Sequence, residues 1–93
     1  MEVYELSKPY EWGGEQITKV EMDLESLDAE TYEQLVSSYR TLFKNDRNPV
    51  PDLDTRFMRM IAEHASGLPA TFFKKLSAKD YRGITAVVQN FLL

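Results

Sequence analysis

Ninety-three residues with 43% hydrophobic and 28% charged side chains make one folding domain, too short for two and too apolar for a disordered chain. Cysteine is absent, which excludes a disulfide framework and thiolate metal sites. The net charge of −4 hides an asymmetry: up to Asp46 eleven acidic residues face four basic ones, net −7, and beyond it four face seven, net +3.

The start, MEVYELSKPYEW, has neither the basic nor the apolar region of an export signal, and no apolar run nears the roughly 18 residues of a membrane span. A cytoplasmic protein with no membrane contact is expected. Val3, Tyr4 and Leu6 precede Pro9, and Trp12, Gly13 and Gly14 carry the chemistry of a chain reversal. Thr18, Val20, Met22 and Leu24 then alternate with Lys19, Glu21 and Asp23, so the spacing predicts a half-buried strand and residues 1–27 form a hairpin with a longish loop.

From Asp28 the period changes, and residues 28–93 read as helical. Tyr32, Leu35, Val36, Tyr39, Leu42 and Phe43 make one apolar stripe over a helix near 29–44, capped by Asp28. Residues 45–51, NDRNPVP, must break it, because Pro49 and Pro51 lack amide donors and disfavour helix before them. Leu53, Phe57, Met60, Ile61 and His64 mark a second helix over 54–66, with Asp52 or Asp54 as cap and Gly67 as terminator. Pro69 suits the first turn of a short helix reaching Leu76. Ser77 to Asp80 resembles a capping box, opening a last helix whose stripe is Tyr81, Ile84, Val88 and Phe91. The fold class is therefore α+β, an N-terminal hairpin on three or four helices.

Little in the chain points to catalysis. Its one histidine, His64, sits in an apolar stripe with no paired nucleophile or clustered ligands, the pattern of a partly buried core residue. The stretch from Asp46 imitates a calcium loop but has Pro51 where glycine is needed and Phe57 where a bidentate Glu is needed. Gly13 and Gly14 are not followed by a helix that could present amides to phosphate. No catalytic residue, metal ligand or cofactor is expected.

Binding is the better reading. Lys75, Lys79 and Arg82, with Arg56 and Arg59, form a candidate basic surface, better suited to an acidic protein face than to nucleic acid in so acidic a chain. Through these cations and the −7 half, copies of the chain are expected to associate head to tail. Trp12, with Tyr10 beside it, belongs to no periodic stripe, and either anchors a partner or folds back over the hairpin.

Three stretches together resemble the tail assembly chaperones of long-tailed bacteriophages and related prophage elements. They are YELSKPYEWGGEQITKVEMDLESL, with its Leu-x-Lys-Pro strand end and Gly turn, IAEHASGLP, and LSAKDYRGITAVVQNFL, which closes on Phe-Leu. The resemblance implies a cytoplasmic helper that binds the tape measure protein, helps it recruit major tail protein subunits, and is absent from the finished particle. It also implies that a ribosomal frameshift makes a longer form in many members. A structural subunit retained in the tail, and an acidic protein that mimics DNA, are the alternatives.

Overall fold

The computed structural model describes residues 1–44, 51 and 54–93. Strands β1 (Glu2–Trp12) and β2 (Glu15–Met22) pair as an antiparallel hairpin, and a 3-10 turn at Leu24–Ser26 follows. Helices α1 (Ala29–Leu42), α2 (Thr55–Ser66), α3 (Ala70–Lys74) and α4 (Ala78–Leu92) complete the described fold, an α+β globule as expected. The expected break over 45–50, the stripe residue Leu53 and the alternative cap Asp52 lie outside the described residues.

The hairpin differs from the expectation in one respect. Its turn is the tight pair Gly13 and Gly14, with φ of 59° and 82°, where a longer loop was expected. A two-residue type I′ turn needs positive φ at both central positions, which glycine adopts without a Cβ clash. Pro9 consequently lies inside β1, where it cannot donate to a ladder. The pairing breaks there: Glu5 faces Lys19 and Tyr10 faces Ile17, so four residues of β1 oppose Thr18 alone. This irregularity also shifts the inward face of β2. Val20 and Met22 are fully buried, but Thr18, expected beside them, is exposed and Ile17 is half-buried instead.

Helix ends follow local chemistry. Asp28 accepts the Thr31 amide at 2.8 Å, Asp54 accepts the Arg56 amide at 2.9 Å, and Gly67 ends α2 at φ 77°. Pro69 is the cap residue of α3, one position ahead of its expected place. The core joins Val20, Met22 and Leu24 of the hairpin segment to Phe57 and Ile61 of α2, Phe72 and Phe73 of α3, and Ile84 and Val88 of α4. Each such side chain contributes about 1.5–3 kcal/mol by leaving water. Asp23 N–H donates to the Ala65 carbonyl at 3.0 Å, tying the hairpin's base to the end of α2.

Three of the described stripe residues are exposed. His64, expected to be partly buried, is exposed, and Leu42 is 64% exposed. Both line an open groove of about 450 Å³ between α1 and the α2–α3 corner, whose floor includes Leu35, Met60 and Leu68. Neither helix covers the other there, so the stripes of α1 and α2 outrun their contact. Phe91 is 38% exposed on the last turn of α4.

Candidate protein-binding surface

The polar centre of the molecule is Asp80, completely buried in the first turn of α4. Its amide donates to Ser77 Oγ at 3.2 Å, so half of the expected capping box is present. The other half is not. The Ser77 amide donates to Tyr10 Oη at 2.9 Å, and the Asp80 carboxylate turns toward β1. There it accepts the Ser7 amide at 3.1 and 3.2 Å, the Ser7 hydroxyl at 2.8 Å, Tyr10 Oη at 3.2 Å and Tyr4 Oη at 3.3 Å. The ladder irregularity in β1 makes this possible, since it frees the Ser7 amide from strand pairing.

Burial by itself raises the Asp80 pKa, but the bonds from Ser7, Tyr10 and Tyr4 outweigh it and hold the carboxyl below its ordinary value. Burial, and then the Asp80 charge, push the Tyr4 hydroxyl upward. Gly83, one turn further along α4, lets the Tyr4 ring approach: a Cβ there would lie 2.2 Å from Tyr4 Oη.

A second polar cluster joins α1 to α2. Asp54 receives Arg56 Nε at 3.0 Å and Nη2 at 2.6 Å and also the Tyr39 hydroxyl, and the Arg56 guanidinium stacks 3.9 Å from the Phe43 ring centre. The Arg56 hydrogen bonds, against an opposing burial effect, lower the Asp54 pKa from 3.8 to about 2.

These clusters change the candidate partner surface. Arg56 is engaged with Asp54, and Arg59 is 8% exposed with its Nε 3.1 Å from Glu63. Lys75, Lys79 and Arg82 remain exposed, with Lys74 beside them. Tyr10 and Trp12 are half-buried. Trp12 folds back and meets Phe72 edge to face at 5.7 Å, while Lys75 Nζ lies 5.4 Å over its ring. Lys8, not among the candidate cations above, projects over Tyr10 at 5.4 Å, and the hydroxyl of that ring meets the Ser77 amide at the α3–α4 corner. Only its alternation with Tyr10 and Trp12 along one strand face signals this in the sequence.

Among the described residues no buried side-chain polar atom lacks a partner, and no three acidic or histidine side chains converge as metal ligands. No described helix is long and apolar enough to cross a membrane. Comparison with protein-family models, curated proteins and solved structures found no match to this chain.

Proposed function

We propose that this chain is a non-catalytic tail assembly chaperone of a phage or prophage, acting in the host cytoplasm. In this role it binds the tape measure protein, helps it recruit major tail protein subunits, and leaves before the particle is finished. The observation that carries the reading is the arrangement of the three resembling stretches. They form the hairpin, the end of α2, and α4, which pack together around the Asp80 and Val20 contacts. The resemblance thus falls on one packed unit. The buried polar groups are engaged in holding that unit, while Leu42, Phe91 and Leu92 present apolar surface to a client.

The test is coexpression of this chain with a tape measure protein from the same genome, followed by purification of finished tails. The expected outcome is a soluble complex where the tape measure protein alone aggregates, and tails free of this chain. A tape measure protein whose solubility and mass are unaffected overturns the reading. Recovery of the chain in finished tails makes it a structural subunit.

A further inference from the structure

The charge asymmetry of the sequence becomes a pair of poles at opposite ends of the hairpin. Near its tip, Lys75 lies over Trp12, and Lys8 over Tyr10, whose hydroxyl meets the Ser77 amide. Lys74 and Lys79 flank Lys75 and Ser77 in the chain, and all four lysines are exposed. None of them makes an ion pair among the described residues. Glu11 and Glu15, also near the tip, and the buried Asp80 offset this charge in part.

From the hairpin's base into the first turns of α1 the sign reverses. Residues 21–33 carry Glu21, Asp23, Glu25, Asp28, Glu30 and Glu33, all exposed, with no Lys or Arg among them. Only Glu21 has a described ion pair, an exposed one with Lys19. The tip pair of Trp12 with Glu15 and the base pair of Val3 with Glu21 are six residues apart along β2, about 20 Å at strand spacing. That exceeds a Debye length at physiological salt, so the two poles do not neutralise each other within one molecule.

We propose that the lysine pole around Trp12 receives the acidic base of a second copy of this chain. The contact is heterologous: each added copy presents a new free pole, so association continues head to tail. Four lysines neutralise few phosphates, and the carboxylates of the other pole repel a polyanion, which favours a protein partner over nucleic acid. This inference rests on charge placement and stands independently of the proposed tail function.

Two charge-reversed variants test it. One carries Lys8→Glu, Lys74→Glu and Lys79→Glu; the other carries Glu25→Lys, Glu30→Lys and Glu33→Lys. Sedimentation at about 0.1 M salt, where the Debye length of about 10 Å is still shorter than the distance between the poles, is expected to show the native chain reaching about twice the monomer mass or more with rising concentration, and monomer at 1 M, where it is about 3 Å. Each variant alone should stay monomeric, and an equimolar mixture should associate again, which also shows that both are folded. A native chain monomeric at every salt, association that tightens with salt, or a mixture that stays monomeric overturns the proposal. So does binding of a 30-nucleotide DNA by a native chain that does not self-associate, which assigns the lysine pole to nucleic acid.

Discussion

Asp80 and Ser7 are 73 positions apart in the chain, yet the Asp80 carboxylate accepts both the amide and the hydroxyl of Ser7. This is the polar joint between the hairpin and the last helix. Replacing Asp80 with Ala leaves the Ser7 amide and hydroxyl and two tyrosine hydroxyls without their acceptor. The expected loss is about 3 kcal/mol, read by urea denaturation, since each stranded buried donor costs about 1–3 kcal/mol and water reaches some of them. Trp12 is the single tryptophan, so its fluorescence reports the hairpin tip directly. Stability within about 0.5 kcal/mol of the native chain would show that the joint contributes nothing net.

Gly83→Ala tests the same contact from the helix side. At an exposed helical site this change gains about 1 kcal/mol. Here the new methyl group would sit 2.2 Å from Tyr4 Oη and 2.5 Å from two ring carbons. The Tyr4 ring must shift to make room, which strains its bond to Asp80, so the expected result is a loss of about 1–2 kcal/mol. Combining it with Tyr4→Ala should cost less than the two changes summed, as a double-mutant cycle of melting curves would show.

Val20→Asp puts an unpaired charge into a completely buried site. The expected cost is about 4 kcal/mol or more, enough to unfold much of a domain with marginal stability. Thr18→Asp, two residues earlier on the exposed side of the register shift, should change stability by less than about 0.5 kcal/mol. Equal effects from the two in thermal melts would contradict the shifted register.

Acid should destabilise the protein in part through the two carboxylates that join its elements. Both Asp54 and Asp80 have folded pKa values below their ordinary ones, so the folded state binds fewer protons than the unfolded. Their stabilisation is full above the ordinary 3.8 and declines as pH falls, for Asp54 across the window from 3.8 to about 2. Asp54→Asn should therefore lower stability at pH 7 and flatten its dependence on pH below 4, measured by urea denaturation at stepped pH. A parallel, undiminished acid slope in the variant would remove Asp54 as a source.

Much of the fold was legible because it is set by local rules. The cap Asp28, a cap for α2 at Asp52 or Asp54, the left-handed Gly67 and the inward Val20 and Met22 each follow from residue type and spacing within a few positions. Sequence alone thus determined the α+β class with its hairpin first, the described helix boundaries to within a residue or two, and the unequal charge halves. Position 80 shows the limit of such rules: local spacing makes it a capping partner of Ser77, and the approach of β1 makes it the acceptor for Ser7, Tyr4 and Tyr10 instead. Tertiary structure likewise engaged Arg56 and Arg59 internally, set Lys8 over Tyr10, the ring that reaches Ser77 at the α3–α4 corner, and left Leu42 and His64 facing a groove. Periodicity identifies which side chains share a face of a helix, but how far that face is covered depends on where the neighbouring element ends. That depends on packing between segments distant in the chain, which no local pattern encodes.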